Sequence, residues 1–569
     1  MRFFKMIVAS LAFMPLSAMA ADPLQAPPPA SSQSHGPSPI RFEFQKIPFH
    51  MEPDETPGKN APEAMGGGVA VFDYNGDGRP DIFFTNGANI ATLKKDSPKY
   101  RNRLFRNDGK GIYTDVTDAA GLAGTGYDIG AAVGDYDNDG NEDLFVAGVY
   151  KNTLYHNNGN GTFTDVTAKA GLDRHDDPEF GPLWSITAAW VDVNNDGLLD
   201  LFIVNYMQWK YTEQPLCSYR GVADYCHPRF YKPQPNQLFL NNGDGTFKDV
   251  SVAWGIRQHP GKGMGVGVAD YDLDGRPDLF VTNDAAYNSL FHNLGDKFEE
   301  VAFETGVALP EDGNFISGMG LDFNDYNNDG YPDIVYVALN NQTFPLLENT
   351  GKGDFREVTT PSGMREASMR MAGYGAAFYD FDNDGWKDIF VTRGHVESMP
   401  LPGSEIDEYN TVFRNPGAPI DKSTAKWVAL TEGAGLAAFP VARHRGCAFG
   451  DLDGDGRIDV VDTALSADAE IWMNRSENSG HWLDVALRGT KSNRDGIGAR
   501  IKVVTKSGTQ YNHMSTSVCY ASSSDGPVHF GLGPDTHVDT IEIHWPSGRL
   551  QTLQDVKADR VLKATEPVD

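Results

Sequence analysis

Residues 73–81 read DYNGDGRPD, and this nine-residue pattern, D-x-[D/N]-x-D-G-x-x-D, recurs along the chain. The seven copies begin at Asp73, Asp135, Asp192, Asp270, Asp325, Asp380 and Asp451. Each lies between a Gly-rich apolar segment such as GGGVAVF and an apolar segment such as DIFFTN, which is typical of two strands joined by a tight turn. Repeats 55 to 78 residues apart with strand patterning indicate β-propeller blades rather than a helical solenoid.

A second marker follows most copies and completes the predicted blade. Examples are LFRNDGKGIYTDVT and LYHNNGNGTFTDVT, in which an Asn/Gly turn joins two further strands. Each repeat therefore predicts four strands, and the seven copies predict a seven-bladed propeller over residues 41–476. Residues 41–50 (RFEFQKIPFH) resemble an outer strand without a preceding repeat and are expected to complete the last blade. Residues 477–569 lack the pattern, and their apolar runs split by Gly and Pro predict a small β-rich domain, so the whole fold is predicted to be all-β.

The spacing of oxygen-bearing residues in each copy is suited to calcium. A nine-residue turn can direct side chains 1, 3, 5 and 9 and the carbonyl of residue 7 at one ion, and calcium prefers about 6–8 oxygen ligands. The Gly at position 6 permits the sharp turn. The predicted ligands, in which position 7 contributes its carbonyl, are Asp73, Asn75, Asp77, Arg79, Asp81; Asp135, Asp137, Asp139, Asn141, Asp143; Asp192, Asn194, Asp196, Leu198, Asp200; Asp270, Asp272, Asp274, Arg276, Asp278; Asp325, Asn327, Asp329, Tyr331, Asp333; Asp380, Asp382, Asp384, Trp386, Asp388; and Asp451, Asp453, Asp455, Arg457, Asp459.

Other interpretations of the pattern fit less well. An EF-hand needs flanking helices and a Glu at position 12, which every copy lacks. Magnesium resists full dehydration, and zinc prefers His and Cys ligands. Turn preference alone would explain one copy, but it does not explain seven copies with Asp at positions 1, 5 and 9. The copies supply 25 carboxylates, which account for most of the formal net charge of −30. About seven structural calcium ions are therefore expected.

The charge and the N-terminus predict location and exclude some partners. A chain with a net charge of −30 repels nucleic acid and anionic membranes. Residues 1–20 combine a positive start, a short apolar run and an Ala-Met-Ala end, which predicts a secretory signal peptide. Residues 21–40 are rich in Pro and Ser and predict a disordered linker. The chain is expected to be exported, to the periplasm or the medium, without membrane insertion.

The four cysteines are expected to divide into two kinds. Cys217 and Cys226 lie in one loop, and an oxidising compartment favours a disulfide between them. Cys447 and Cys519 lie in strand-like segments, where they are expected to be small buried residues, with their pairing left open.

The face opposite the aspartate loops is predicted to carry the function. Two long insertions, 205–237 and 393–411, lie there, and long loops on a rigid scaffold are favoured places for binding. Basic residues predicted to surround this channel mouth, as a subsite for a carboxylate or acidic sugar, are Lys262, Arg370, Arg393, His395, Arg443, His444 and Arg445. The alternative is that these cations pair with nearby acids.

These motifs resemble the FG-GAP/VCBS repeat proteins, in the cartilage acidic protein-like branch with a C-terminal ASPIC/UnbV domain. The seven aspartate copies and the N-G-D-G-T-F-x-D-V turns match the repeat, and NRDGIGARI (493–501), HFGLG (529–533) and WPSG (545–548) match the C-terminal domain. The resemblance implies an integrin-α-like seven-bladed propeller with calcium in the hairpin loops, and roles in adhesion and extracellular interaction. The Asn/Gly turns of repeats 5 and 6 depart from the pattern, which leaves strand boundaries there open.

Two functions are compatible with these features. The first is a calcium-binding interaction or adhesion module for an extracytoplasmic protein or glycan. The second is an enzyme that acts on a carbohydrate or small anionic substrate at the channel mouth. The sequence contains no recognisable catalytic constellation, which favours the first.

Overall fold

A computed structural model describes residues 39–173, 176–397, 405–418, 420, 425–477 and 479–568, which belong to one compact unit. The predicted all-β class is confirmed, since the chain consists mainly of small antiparallel sheets. The predicted signal peptide, residues 1–20, and nearly all of the predicted linker, residues 21–40, lie outside the described residues.

Each aspartate repeat builds one antiparallel sheet, in which repeats 1 to 6 supply four strands in chain order and repeat 7 supplies three. Sheet 1 comprises Val69–Phe72, Asp81–Phe84, Arg103–Gly109 and Ile112–Asp115. Sheet 2 comprises Tyr127–Gly134, Asp143–Val149, Thr153–Asn157 and Phe163–Asp165. Sheet 3 comprises Ser185–Val191, Asp200–Asn205, Gln237–Asn241 and Phe247–Asp249. Sheet 4 comprises Gly263–Ala269, Asp278–Asn283, Ser289–Asn293 and Phe298–Glu300.

The remaining repeats follow the same plan. Sheet 5 comprises Leu321–Asn324, Asp333–Tyr336, Leu346–Asn349 and Phe355–Glu357. Sheet 6 comprises Gly373–Tyr379, Asp388–Arg393, Thr411–Arg414 and Val428–Leu430. Sheet 7 comprises His444–Gly450, Asp459–Ala464 and Asp468–Asn474, and its fourth strand is the N-terminal segment Phe42–His50. Phe42–His50 pairs antiparallel with Asp468–Asn474, so the expectation that it completes the last repeat is confirmed.

The sheets follow one another in a closed cycle, as in a propeller. The first strand of each sheet contacts the first strand of the next, and the first strand of sheet 7 contacts that of sheet 1. These inner strands are buried and rich in Gly because neighbouring backbones approach closely. A Cβ atom on Gly130, for example, would lie 2.2 Å from the carbonyl oxygen of Ile186 in the next sheet.

Short helices and hairpins connect the sheets. The α-helical turns are Thr117–Ala120, Thr167–Ala170, Ala302–Thr305 and Met364–Ser368, and the 3-10 turns are Ala61–Ala64, Pro98–Tyr100, Tyr211–Glu213 and Pro228–Phe230. Two small hairpins pair Asp176–Asp177 with Gly181–Pro182 and Cys217–Tyr219 with Val222–Asp224. Among the described residues, every helix is too short to cross a lipid bilayer.

The C-terminal region adds two further sheets. One contains Val528–Gly533, His481–Arg488 and Arg560–Thr565, and the other contains Thr509–His513, Arg500–Val504, His537–His544 and Leu550–Lys557. Its apolar side chains, including Leu483 and Ile541, belong to the same buried cluster as Trp190 and Phe145 of the repeat sheets. The C-terminal region therefore shares a hydrophobic core with the ring of sheets.

A segment of this region, residues 514–526, enters the middle of the ring, and we call it the axial segment. Its strands Ser517–Val518 and Ser522–Ser524 extend sheet 1, and Ser522–Ser524 runs parallel to Val69–Phe72. Tyr520 Oη donates a hydrogen bond of 2.7 Å to the Met65 carbonyl. Backbone and side-chain hydrogen bonds also connect the axial segment to the inner strands of sheets 2, 4, 5 and 7. The segment thus lies inside the ring and is bonded to the inner strands of sheets 1, 2, 4, 5 and 7.

Both pairs of cysteines form disulfides. Cys217 and Cys226 pair as predicted, with their Cα atoms 5.3 Å apart. Cys447 and Cys519 are buried as expected, and they are also bonded to each other, with a Cα separation of 6.2 Å, which resolves the pairing that the sequence leaves open. The sequence alone does not indicate this pairing, because the two cysteines are 72 residues apart and meet only where the axial segment reaches sheet 7.

The two disulfides should differ in their effect on stability. Replacing Cys447 and Cys519 together with alanine is expected to lower the free energy of unfolding by about 4 kcal/mol, because the crosslink spans 72 residues. The matched double replacement of Cys217 and Cys226, which spans 9 residues, is expected to cost about 2.5 kcal/mol. Denaturant unfolding measures both, and a larger loss for the second pair would contradict an axial segment that fastens the ring.

Candidate metal centres on the loop face

All seven aspartate copies connect the first and second strands of their sheets, and we number them loops 1 to 7 after those sheets. They therefore lie at one end of the ring, which we call the loop face. The position-9 aspartate is in every case the first residue of the second strand: Asp81, Asp143, Asp200, Asp278, Asp333, Asp388 and Asp459. Each loop brings its predicted side chains together within one strand–loop–strand unit.

The backbone of each loop wraps around its first aspartate. In loop 1 the backbone N–H of Gly78 donates to Asp73 Oδ2 at 2.6 Å, and that of Asp77 donates to Asp73 Oδ1 at 3.1 Å. The position-6 Gly makes the same bond in all seven loops, at 2.6–3.0 Å. Its φ is positive throughout, 83° at Gly78, a conformation that L side chains resist. The glycine therefore allows the turn that directs the carboxylates inward.

The position-9 aspartate joins the loop to the third strand of its own sheet. In sheet 3, Asp200 Oδ1 accepts the backbone N–H of Asn241 at 2.8 Å, and Asp200 Oδ2 accepts that of Val193 at 3.1 Å. The corresponding third-strand bond is present in every sheet, at 2.6–2.8 Å. One buried carboxylate thus fixes both the loop and the strand beside it.

The same third-strand asparagine also binds the neighbouring sheet. Asn241 Nδ2 donates to the carbonyl of Leu199 in its own loop at 3.0 Å and to the carbonyl of Tyr136, position 2 of loop 2, at 2.7 Å. Seven asparagines make this bond to the preceding sheet's loop, at 2.7–3.2 Å: Asn107, Asn157, Asn241, Asn293, Asn349, Asn415 and Asn474. Asn107 of sheet 1 closes the cycle on Leu452 of loop 7, and we call the set the asparagine ring.

The asparagine ring was not predicted from the sequence, although the sequence contains a signal for it. In the sequence each asparagine follows a short, largely apolar run, as in LFRN, LYHN, LFLN, LFHN, LLEN, VFRN and IWMN. An Asn/Gly turn accounts for this asparagine locally, and the turn pattern alone does not indicate a contact with the neighbouring sheet. Repeats 5 and 6, whose turns are irregular, keep it as Asn349 and Asn415. The irregularity therefore changes the turn and leaves the contact between sheets intact.

The loops carry negative charge that the protein alone leaves partly uncompensated. Burial and the charges of Asp73 and Asp77 raise the pKa of Asp81 to about 7. Burial and Asp495 of the C-terminal region raise the pKa of Asp135 to about 8. Burial and neighbouring acids likewise raise the pKa of Asp388 well above its ordinary value. A bound cation would offset both the cost of burying these carboxylates and the repulsion between them.

The donor chemistry of the loops fits calcium. In loop 4, one carboxylate oxygen from each of Asp270, Asp272 and Asp274 lies within 4.8 Å of the others, so the three can reach one ion. Among the described residues, the buried oxygens Asp81 Oδ2 and Asp382 Oδ1 have no hydrogen-bond partner. Side-chain and backbone oxygens in a flexible loop are what calcium binds.

The seven loops differ in the cations that the protein itself supplies. Arg414 contacts Asp382 and Asp384 of loop 6, at 2.9 Å each. Arg475 contacts Asp453 of loop 7 at 2.9 Å. In loop 2 an imidazole is nearby, since His156 Nδ1 lies 3.3 Å from Asp143. Loop 4 has both kinds of cation, since Arg276 pairs with Asp274 and His292 Nδ1 lies 3.2 Å from Asp278. Calcium affinity should therefore vary around the ring, because a guanidinium competes for the same oxygens.

The C-terminal region packs on the loop face. The backbone N–H of Arg494 donates to Asn138 Oδ1 of loop 2 at 2.7 Å, and Asp495 Oδ2 accepts the N–H of Asp135 at 2.9 Å. His529 Nε2 lies 2.8 Å from Asn383 Oδ1 of loop 6. The loops thus support the C-terminal region as well as the ring.

The basic residues predicted to bind an anionic ligand mostly have partners within the protein. Two of them donate hydrogen bonds to backbone carbonyls, Lys262 to that of Pro228 and Arg445 to that of Ala64. The other four lie beside carboxylates, in the pairs Arg393–Glu408, His395–Glu397, Arg443–Glu55 and His444–Glu470. Arg445 also lies 3.7 Å from the centre of the Tyr374 ring. Arg370 is exposed. These pairings match the alternative interpretation, and an anionic ligand at this face stays a prediction.

The asparagine ring can be tested at two adjacent residues. Asn241→Ala is expected to lower the free energy of unfolding by about 2–4 kcal/mol, because the buried carbonyls of Tyr136 and Leu199 lose their donor. Asn242→Ala is the matched control, since Asn242 is exposed and bonds Thr246 within its own turn. Its expected cost is below about 0.5 kcal/mol. Equal stabilities of the two variants in urea would show that the ring does not fasten the sheets.

Comparison with known proteins agrees with this architecture. A family profile described as FG-GAP-like repeat matches residues 73–146, 135–203, 229–281, 270–336 and 325–391, about half of the chain. A profile described as ASPIC and UnbV matches residues 489–569. Cartilage acidic protein 1 from Homo sapiens is 26% identical over 505 residues, which cover 86% of this chain and 70% of that protein. The Mus musculus protein is 25% identical over 515 residues, covering 88% of this chain and 65% of that protein.

Similar solved structures include an Agrocybe aegerita lectin that recognises non-reducing terminal N-acetylglucosamine. Its TM-score is 0.36 and its identity 18%, and the match covers 64% of this chain and 80% of the lectin. The Bacillus licheniformis rhamnogalacturonan lyase PL11 has a TM-score of 0.38 and 13% identity, covering 76% of this chain and 75% of the lyase. The repeat matches and the sheets that they coincide with assign the family. This chain belongs to the FG-GAP-like repeat proteins, and its residues 489–569 form an ASPIC and UnbV domain.

Proposed function

We propose that this chain is an exported interaction module for an extracytoplasmic protein or glycan, and that calcium in the seven loops holds it in its binding form. The observation that carries the proposal is the repeated coupling between loops and sheets. Each loop presents clustered oxygen donors, and each is bonded to its own third strand and to the next sheet's asparagine. An ion in one loop would therefore stabilise two sheets.

The physical role of calcium in this proposal is to offset carboxylate repulsion. Loop 3 illustrates it, since burial and the charge of Asp196 raise the pKa of Asp192 to about 6. With an ion bound, all of the carboxylates could stay ionised while their second oxygens keep the backbone N–H bonds that shape the loop. Calcium binding is then coupled to folding, because an unfolded chain does not hold the donors together.

Export is supported by independent features. Two disulfides, Cys217–Cys226 and Cys447–Cys519, are typical of oxidising compartments. The cartilage acidic proteins match most of this chain, and FG-GAP-like and ASPIC/UnbV regions favour an extracellular role. The predicted signal peptide fits the same location.

The calcium part of the proposal can be tested on loop 3. Calorimetric titration of the full chain after chelation is expected to show about seven calcium ions bound, and the melting temperature is expected to rise with calcium. The double variant Asp192→Asn, Asp196→Asn should bind one ion fewer and melt at a lower temperature in calcium, because its loop loses two carboxylates.

The matched control removes two acids elsewhere. Asp173 and Asp296 are exposed residues outside the loops, so Asp173→Asn, Asp296→Asn changes the net charge equally. Its calcium count and melting temperature should equal those of the unmodified chain. An unchanged ion count in the loop 3 variant, or no calcium binding at all, would refute the proposal.

The insertion between the second and third strands of sheet 3 is the surface that we propose binds the partner. It lies at the end of the ring opposite the loop face and exposes four large apolar side chains: Tyr211, Leu216, Val222 and Phe230. Leu216 is 89% exposed. Several exposed apolar groups on one insertion are typical of an interaction site.

The insertion is also held firmly on the ring, which would limit the entropy lost on binding. The Cys217–Cys226 disulfide closes its hairpin. Gln214 Nε2 donates to the Lys59 carbonyl at 3.1 Å, and Tyr225 Oη donates to Glu55 at 3.1 Å. The apolar side chains therefore project from a fixed platform.

Replacing Leu216 and Phe230 together with serine is expected to abolish capture of the partner while calcium binding and melting temperature stay unchanged. Capture is measured with the immobilised full chain, extracytoplasmic extracts and a glycan array. Val252→Ser, Ile112→Ser is the control, because both residues are also apolar and exposed but lie outside the insertion, just after the fourth strand of sheet 3 and on the fourth strand of sheet 1. Loss of capture in the control with retention in the insertion variant would place the binding surface elsewhere.

A further inference from the structure

Sheet 7 contains a buried cluster that the seven loops do not explain. His444, Asp462 and Glu470 lie on its first, second and third strands, and Asp462 pairs directly with Glu470 across the ladder. Their side chains are only 2%, 0% and 1% exposed. The cluster therefore places an imidazole and two carboxyl groups in the protein interior, where each needs a partner.

The three groups face one another with unused ligand atoms. His444 Nε2 lies 3.3 Å from Glu470 Oε2, and these atoms and an Asp462 carboxylate oxygen all lie within 4.8 Å of one another. Within the part of the chain that the structure describes, His444 Nε2, Asp462 Oδ1 and Glu470 Oε2 are buried and lack a hydrogen-bond partner. Three such atoms at one point are unusual, because nearly all buried polar atoms are paired.

The surroundings hold two of these groups in the orientation of metal ligands. His444 Nδ1 bonds the Arg393 carbonyl at 3.0 Å, which places the ring proton on Nδ1 and leaves Nε2 with a free lone pair. Asp462 Oδ2 accepts bonds from Trp472 Nε1, at 3.1 Å, and from Asn410 Nδ2, which leaves Oδ1 free. Partners of this kind on the far side of each ligand are characteristic of metal sites.

We propose that His444, Asp462 and Glu470 bind one divalent transition-metal ion of the zinc class, at a site separate from the calcium loops. Ligands about 2.0–2.2 Å from a tetrahedral zinc lie about 3.3–3.5 Å from each other, which matches the spacing of His444 and Glu470. Two carboxylates and a neutral imidazole also balance the charge of a divalent ion. The imidazole disfavours calcium and magnesium, which take oxygen ligands.

The competing interpretation is a buried ion pair between protonated His444 and Glu470. Burial lowers the pKa of His444, but the charges of Glu470 and Asp462 outweigh it and raise that pKa to about 9. An ion pair, however, leaves Asp462 Oδ1 without a partner among the described residues. A metal ion would satisfy all three atoms at once.

The test is a zinc titration of the full chain in saturating calcium, which fills the aspartate loops and leaves the cluster as the expected zinc site. One zinc ion per chain is expected, with a rise in melting temperature. His444→Gln and Asp462→Asn should each weaken zinc binding at least tenfold and remove that rise, while the calcium count stays unchanged. Glu470→Gln, which keeps the shape of the side chain, provides a third variant if one of these does not fold.

The controls separate the cluster from other histidines. His481→Gln removes an exposed histidine that contacts Asp559, and His156→Gln and His292→Gln remove the imidazoles beside loops 2 and 4. All three should bind zinc as the unmodified chain does. Absence of zinc binding by the unmodified chain in saturating calcium would overturn the proposal. Zinc binding that survives in the folded cluster variants, or that is lost in the loop histidine variants, would do the same.

Discussion

The hydrogen bonds at the position-9 aspartates determine how the rest of this protein is assembled. Each of these buried carboxylates accepts the N–H of an asparagine whose side chain then binds the loop of the preceding sheet, as Asp200 and Asn241 do. The same loop carries the other clustered carboxylates. The same atoms therefore take part in the repulsion between carboxylates and in the contact between neighbouring sheets. A cation that reduced this repulsion would also strengthen that contact.

A second fastening comes from inside the ring. The axial segment bonds to inner strands around the cycle and is crosslinked to sheet 7 through Cys447 and Cys519. The domain from which it extends packs on the loop face, through contacts such as Arg494 with Asn138. The opposite face carries the insertion with exposed Leu216 and Phe230, so the proposed binding surface lies at the other end of the ring from the aspartate loops.

Local pattern was enough to predict much of this arrangement. Strand–loop–strand units, the outer strand Phe42–His50 and the Cys217–Cys226 pair all depend on short spacing or on a repeated motif. What escaped prediction depends on distant contacts. Asn241 bonds Tyr136 across 105 residues, and Cys519 reaches Cys447 only because the axial segment enters the ring. His444 is predicted from the sequence to line the channel mouth, but it is buried against Glu470. A periodic sequence reveals which residues recur, but not which neighbouring repeat each one contacts.

If calcium in the loops holds the ring of sheets together, as we propose, the free energy of unfolding should depend on the concentration of free calcium. Linkage relates the slope of the unfolding free energy against the logarithm of calcium concentration to the number of ions released on unfolding. Each released ion contributes about 1.4 kcal/mol per tenfold change once its site is saturated. If all seven loops are filled, the expected slope corresponds to about seven ions. An unfolding free energy that stays constant from chelator to millimolar calcium would contradict it.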